Sequence, residues 1–201
     1  MRFVTLQIVG VSLLLACASN AFAQVNGAGF DGMAPGAYPA GGPNAAVSGG
    51  PGSVTVQPAG AAAPGVPNGA GNVLCIDTMA GGTIFVEFTF ICPVQPHGIC
   101  AVQYDWSGAA FSPNSGMQVH VDAGGVFNNP DDVWQPPVGL PPTTATGSNT
   151  EHAGPCDAVV HTLTFIVRPF TKIYIDNMTT TCDVGVGVEA KPWSQLKTLY
   201  R

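Results

Sequence analysis

Hydrophobic and polar residues alternate along two neighbouring stretches toward the end of the chain. Residues 159–167 read V-V-H-T-L-T-F-I-V, and residues 172–178 repeat the alternation after a break at 168–171 that contains Pro169. Alternation with a period of two is typical of β-strands, and a short break containing proline predicts that these two strands run antiparallel. Comparable runs predict further strands at residues 73–76, 83–92, 99–104, 117–122 and 183–190.

Turn signals rich in Gly, Pro and Asn separate these runs, and helical spacing is found only weakly, at residues 193–200. In residues 83–92 both faces of the predicted strand are largely apolar, so this strand is expected at the centre of a sheet. Short strands joined by such turns indicate an all-β fold, either a sandwich or a barrel.

Residues 123–157 interrupt the strand pattern with about 35 residues that are dense in Pro, Asn, Thr and Gly. Structureless loops of that length are uncommon in compact domains and are often functional, although a variable insertion is the alternative. Trp134 stands isolated there among polar residues. Sugar rings stack on indole faces through their apolar C–H edges. We therefore hypothesise a ligand site formed by Trp134 with Phe127, Asn128 and Asn129; the alternative is that Trp134 folds back onto one end of the domain.

Two acidic residues of the same loop, Asp131 and Asp132, are candidate ligands for a structural calcium ion. Calcium binds six to eight oxygen atoms, and extracellular calcium is abundant enough to fill weak sites. The chain has no Asp-x-Asp-x-Asp-Gly loop, so solvated turn carboxylates are the alternative interpretation. No other cofactor is expected.

The first 72 residues differ in composition from the rest. Residues 1–23 combine Arg2, an apolar run at 8–16 and small residues before Gln24, as a secretory signal peptide does. The segment L-L-A-C ending at Cys17 also resembles a lipoprotein box, so lipidation there is left open. In residues 24–72, 31 of 49 residues are Gly, Pro or Ala, which predicts a disordered spacer. The domain is then expected to occupy residues 73–201.

The charge balance limits the partners. Twelve acidic residues face six basic ones, and no basic patch or run is present, which argues against nucleic acid and anionic membranes. No apolar run beyond the leader approaches the roughly 20 residues that a transmembrane helix needs. The mature protein is therefore expected to be secreted or held at the cell surface.

Five cysteines follow Cys17, and disulfides are the default in an exported domain. A bridge between Cys92 and Cys100 is the first choice, because these residues bracket a connection that turns the chain back. A bridge between Cys75 and Cys182 is the second choice, since first and late strands are often neighbours in sandwiches. Cys156 is then left over. The absence of a Cys-x-x-Cys pair argues against zinc or thioredoxin-type chemistry.

The clearest alternative chemistry is a metal set made of His152, Cys156 and His161, with His120 as a fourth ligand. Blue-copper sites use two His and a Cys with a weak Met, but here no Met follows Cys156 closely. There is no Gly-x-Ser-x-Gly motif, and no recognisable catalytic set is present. An extracellular metal protein or enzyme remains an alternative, and a non-catalytic protein is favoured.

Two strand motifs resemble a known group of proteins. The segment I-Y-I-D-N-M at 173–178, following H-T-L-T-F-I-V at 161–167, resembles the closing strands of bacterial jelly-roll modules, which include carbohydrate-binding modules. G-T-I-F-V-E-F at 82–88 resembles their early strand. The resemblance implies a jelly-roll-like antiparallel β-sandwich and, as function, non-catalytic binding.

We therefore expect a secreted binding or surface/matrix module whose partner is a polysaccharide or the cell-surface matrix, with self-association left open. A purely structural matrix protein is a further alternative, because nothing in the sequence separates it from a saccharide binder.

Overall fold

A computed structural model describes residues 30–38, 45–91, 99–123, 131–136, 142–155 and 160–183. The described residues form strands and connecting turns, with one short 3₁₀ turn at Ala59–Ala61. The strands are β1 (Gly36–Ala37), β2 (Ala45–Gly49), β3 (Ser53–Pro58), β4 (Asn72–Asp77), β5 (Ile84–Ile91), β6 (Ile99–Ala110), β7 (Met117–Ala123), β8 (Asp131–Trp134), β9 (Thr143–Pro155), β10 (Val160–Val167) and β11 (Thr171–Asp183).

These strands pack as two antiparallel sheets. The first sheet has the order β1-β3-β4-β11-β6-β9, and the second has the order β2-β5-β10-β7-β8. From β4 to β11 the chain places β4, β6, β9 and β11 in the first sheet and β5, β7, β8 and β10 in the second, which is the double Greek-key arrangement of a jelly roll. The predicted all-β, jelly-roll-like antiparallel sandwich is confirmed.

The core lies between the sheets and is built by the alternating positions that the sequence pattern singled out. In the second sheet Leu163 faces Phe88 and Phe165 faces Val86 across the β5–β10 pair, and all four side chains are buried. Phe165 meets the ring of Tyr104, from the opposite sheet, edge-on at a centroid distance of 5.0 Å. Such burial of apolar area is the main force that holds two sheets together.

The structure departs from the predicted disordered spacer at 24–72. β2 pairs with β5, and β3 pairs with β4 over six residues, so the predicted boundary at Asn72 falls inside the fold. Val54 and Val56 are buried in the core, together with Phe30. The overall composition of the segment concealed this short alternating run, which needs only two valines on its inner face because a neighbouring strand supplies the hydrogen bonds.

The long structureless loop predicted at 123–157 is also wrong for the residues that the structure describes there. β8 pairs with β7, and β9 pairs with β6 from Ala110 back to Ile99, with one register shift. β9 reads T-T-A-T-G-S-N-T-E-H-A-G-P and lacks an apolar face. It is an edge strand, so hydrogen bonds to β6 contribute more to its position than burial does.

Several predictions fall outside the described residues and stay predictions: the signal peptide at 1–23 with Cys17, most of the strand at 183–190, and the weak helix at 193–200. No helix in the described ranges is long and apolar enough to span a membrane.

Candidate functional site

A polar cavity of about 310 Å³ lies on the outer face of the first sheet. Tyr104 and Trp106 of β6 point into the core, so the alternate positions Gln103 and Asp105 point outward. β9 and β11 flank β6 on its two sides. The eight residues that line this polar cavity are Gln103, Tyr104, Asp105, Ser148, Asn149, Thr150, Asn177 and Thr179.

Asp105 is the central acceptor of the cavity. Its side chain is only 9% exposed, and it accepts hydrogen bonds from Asn177 Nδ2 at 2.8 Å, from Asn68 Nδ2 at 3.4 Å and from the hydroxyl of Ser148. An ionised carboxylate can only accept hydrogen bonds, and bonds to a charged group are stronger than those between neutral groups. Asp105 therefore fixes the orientation of three polar side chains that come from distant parts of the chain.

A β-bulge in β11 brings one of these side chains into place. The register between β11 and β6 shifts between Asp176 and Thr179, and Asn177 has a φ of 51°. Asn is among the few non-glycine residues that adopt this left-handed conformation readily. The bulge directs the Asn177 amide to Asp105, and the same amide nitrogen lies 3.4 Å from the carbonyl oxygen of Pro67.

Residues 59–71, here called the covering segment, cross the outer face of the same sheet beside the cavity. Ser107 Oγ donates to the carbonyl oxygen of Pro64 at 2.7 Å, and Tyr174 Oη donates to that of Ala61 at 3.4 Å. Below the segment, three buried side chains pack against three of its apolar residues: Val73, Cys75 and Tyr174 against Ala59, Ala62 and Val66. Because Asn68 belongs to the covering segment and bonds to Asp105, the predicted spacer contributes directly to the site.

A second buried carboxylate lies close to the first. Asp176 is 2% exposed, and its Oδ2 accepts a hydrogen bond from the backbone N–H of Ala70 at 3.3 Å. Burial raises the pKa of Asp176, and the nearby carboxylates of Asp31 and Asp105 raise it further, while the backbone N–H groups of Asn177 and Ala70 lower it. The carboxyl groups of Asp31, Asp105 and Asp176 are thus gathered on this side of the sheet.

Trp134, the predicted stacking platform, belongs to β8 of the second sheet and faces the inner side of the first sheet. It is half-buried at the end of β8, and its ring lies 5.7 Å from that of Trp106 between centroids, tilted by 34°. Gly108 and Gly147 leave room for this pair, because a Cβ on Gly108 would approach Trp134 to 2.9 Å and one on Gly147 would approach Trp106 Nε1 to 2.7 Å. Trp134 thus covers part of the core and does not line the polar cavity.

The other predicted ligand residues are not brought to this cavity by any described contact. Phe127, Asn128 and Asn129 lie outside the described residues, so a site around them stays a prediction. Asp131 and Asp132 begin β8, where their backbones oppose Val119 and Gln118. Their side chains fall outside the described set, and the calcium site also stays a prediction.

The predicted metal set is divided between the two sheets. His152 is exposed on β9 of the first sheet, whereas His161 is buried on β10 of the second and stacks on Phe90 at 5.3 Å. His120 is buried on β7, and Cys156 lies outside the described residues. Among the residues that the structure describes, no group of three or more His, Cys, Asp or Glu side chains is placed to hold a metal ion.

The predicted bridge between Cys75 and Cys182 is wrong, because Cys75 is a buried free thiol. Its partner across β4 and β11 is Tyr174, eight positions from Cys182 along the strand, so roughly 25 Å of extended chain separates the two cysteines. Burial raises the pKa of the Cys75 thiol to about 11. The backbone of Cys182 opposes that of Cys100 in the β6–β11 pair. Cys92 lies outside the described residues, and the bridge between Cys92 and Cys100 stays a prediction.

Sequence reasoning missed the residues that line the cavity. Ser148, Asn149 and Thr150 were assigned to a loop, and Asn68 to a spacer. Asn177 was noted as part of a strand motif and not as a site residue. One usable signal was present: Thr144, Thr146, Ser148 and Thr150 alternate with other residues at a period of two, which is compatible with a polar edge strand.

No protein-family model matches the chain, and a search of the curated proteins finds no match. Among solved structures, the K2 cleaved adhesin domain of Lys-gingipain is similar with 11% identity and a TM-score of 0.48, covering 77% of this chain and 96% of that one. TmCBM61, solved in complex with beta-1,4-galactotriose, has 12% identity and a TM-score of 0.44 over 69% of this chain and 88% of its own.

The enzymatically active domain of tailspike protein 4 from bacteriophage CBA120 has 15% identity and a TM-score of 0.45. That match covers 69% of this chain but only 19% of the tailspike, so the chain corresponds to about a fifth of its length. These likenesses are weak and concern the fold alone.

Proposed function

We propose that the protein is an exported, non-catalytic module that binds carbohydrate in the polar cavity on the outer face of the first sheet. The observation that carries the proposal is the arrangement around Asp105, which holds the side chains of Asn68, Ser148 and Asn177 in fixed orientations beside a cavity. Export rests on the leader-like residues 1–23, and the expected partner is an extracellular or cell-surface polysaccharide.

The chemistry of the lining suits a ligand rich in hydroxyl groups. Each sugar hydroxyl both donates and accepts hydrogen bonds, and amides, hydroxyls and carboxylates together offer both functions. Gln103, Ser148 and Thr150 are exposed and accessible to a ligand from solvent. The volume of about 310 Å³ is at the lower end of the roughly 300–1,000 Å³ typical of ligand pockets, which favours one or two sugar residues.

The hydrogen bonds that the two carboxyl groups accept favour binding over catalysis. A glycosidase needs one carboxyl group to deliver a proton and a second to act as nucleophile or base on the reacting sugar. Here the Asp105 oxygens accept three hydrogen bonds from protein side chains, and Asp176 is bonded to the backbone of the covering segment. Both carboxylates thus organise the protein around the cavity.

The test compares two threonines on the same strand. Thr150 lines the cavity, while Thr144 is equally exposed and lies on the same face of β9 but outside the cavity. Thr150→Val combined with Gln103→Ala should weaken binding of the best oligosaccharide found on a glycan array. The loss should be about tenfold or more, because each lost hydrogen bond costs roughly 0.5–1.5 kcal/mol.

Thr144→Val is the matched control and should leave the affinity unchanged, as measured by isothermal titration calorimetry. Equal affinities for all three proteins would place the binding site elsewhere. A glycan array with no ligand at all would contradict the proposed function and favour a purely structural role.

A further inference from the structure

We infer that the polar cavity selects neutral saccharides against anionic ones, and that Asp105 is the residue that determines this selection. The inference rests on the proposed carbohydrate binding and adds the substrate class: uncharged, hydroxyl-rich sugars in place of uronic acids or sulfated sugars.

The distribution of charge supports this inference. None of the eight described residues that line the cavity is basic, whereas Asp105 lies at its centre and Asp176 is buried beside it. Lys172 shares the outer face of β11, but it lies four positions from Asp176, roughly 13 Å along the strand. Its ammonium group is paired with Asp77 at 3.4 Å. An anionic ligand in the cavity would therefore meet like charge with no described cation placed to compensate.

Hydrogen-bond chemistry leads to the same conclusion. A carboxylate or sulfate group on a sugar can only accept hydrogen bonds, as Asp105 does. Placed side by side, two acceptors repel each other, whereas a neutral sugar hydroxyl in the same place can donate. Binding sites commonly reject a wrong ligand by placing a charge of the same sign against it, with no opposite charge to compensate.

The first experiment uses the full chain and matched probes. Oligomers of glucose, mannose and galactose are compared with counterparts oxidised to the carboxylate at C6 and otherwise identical. We expect each neutral oligomer that binds to have at least tenfold higher affinity than its oxidised form. Equal or tighter binding of the oxidised form, still sensitive to Thr150→Val, would overturn the charge selection but leave carbohydrate binding intact.

The second experiment varies salt and the charge of Asp105. Raising the salt from about 20 to 500 mM weakens the repulsion between an anionic ligand entering from solvent and the carboxylates of the cavity, so binding of the oxidised probe should strengthen while that of the neutral probe stays constant. Asp105→Asn keeps the size and one acceptor oxygen, and it should reduce the ratio of neutral to oxidised affinity several-fold.

An unchanged ratio in a folded Asp105→Asn variant would overturn the role of Asp105. If the variant does not fold, the salt dependence of the natural protein decides, and a flat response for the oxidised probe contradicts the inference. If neither probe binds at the cavity, the proposed function itself fails, which is a distinguishable outcome.

Discussion

The two faces of β6 show how one strand supplies packing on one side and a polar site on the other. On the inner face, Tyr104 and Trp106 pack against aromatic rings, with Phe165 at 5.0 Å and Trp134 at 5.7 Å. On the outer face, Asp105 makes hydrogen bonds to three side chains from the covering segment, β9 and β11. The inner face depends on buried area and the outer face on directed bonds, so the two should respond to different substitutions.

A hydrogen bond from Trp106 links the inner face to the polar cavity. Trp106 Nε1 donates a hydrogen bond to Asn149 Oδ1 at 2.9 Å, and Asn149 also lines the polar cavity. A change that displaces the indole of Trp106 should therefore be felt in the cavity, whereas a change that only removes a packing partner of that indole should not.

The largest effect is expected from Trp134→Ala. The residue is half-buried, so the loss of unfolding free energy should be about 2 kcal/mol, below the roughly 3–5 kcal/mol of a fully buried aromatic residue. Saccharide affinity should stay the same, because Trp134 lies on the inner side of the sheet. Urea unfolding and calorimetric titration of the same variant measure the two quantities. A variant that keeps its stability and loses its ligand would instead make Trp134 the stacking platform hypothesised from the sequence.

A smaller effect, of about 1 kcal/mol, is expected from Gly147→Ala, since the added methyl group overpacks the site by approaching Trp106 Nε1 to 2.7 Å. Here the affinity should fall as well, because the displaced indole releases Asn149. Gly60→Ala is the matched control, since a Cβ there meets nothing within 4 Å. If both variants behave alike in unfolding and titration, the proposed coupling through Trp106 and Asn149 is wrong.

The smallest effect concerns the pH dependence of stability through Asp176. Its folded-state pKa is raised, so the unfolded chain loses this proton at lower pH than the folded one does. Ionisation of Asp176 therefore destabilises the folded protein. This destabilisation is absent below the ordinary pKa of the group and grows as the pH rises through the raised value. Asp176→Asn should increase the unfolding free energy at pH 7 relative to the natural protein, with a smaller difference near pH 4.

Urea unfolding at the two pH values tests this. The pKa of Asp176 would be shifted in the opposite direction if the natural protein were more stable than the variant at pH 7 and this difference in unfolding free energy disappeared in acid. In that case the hydrogen bonds from Ala70 and Asn177 outweigh the cost of burial.

The strands of the core were predictable because burying one face of a strand requires apolar residues at alternate positions of the local sequence. β4, β5, β7 and β10 were located to within a residue or two, and β6 and β11 were recognised but are longer than predicted. β3 was missed because two valines are outnumbered by Gly, Pro and Ala around them. β9 was missed because an edge strand can be almost entirely polar when its neighbour supplies the hydrogen bonds.

The candidate site was not predictable in the same way, since its members are joined by bonds across the fold. Asn68 and Asp105 are 37 positions apart, and Asn177 and Asp105 are 72 apart. No local pattern records such a pairing. The left-handed conformation of Asn177 could not be predicted either, because it follows from a β-bulge that the strand motif does not reveal.

The sequence by itself determined the all-β class, the central strands and the acidic balance, because alternation and charge are properties of neighbouring residues. Only the tertiary structure decided that the Gly/Pro/Ala-rich residues 45–72 belong to the sandwich, that Trp134 packs against Trp106, and that Cys75 is free. The physical reason is that strand pairing and hydrogen bonding to a buried carboxylate depend on which segments meet. That is set by the packing of two sheets as a whole.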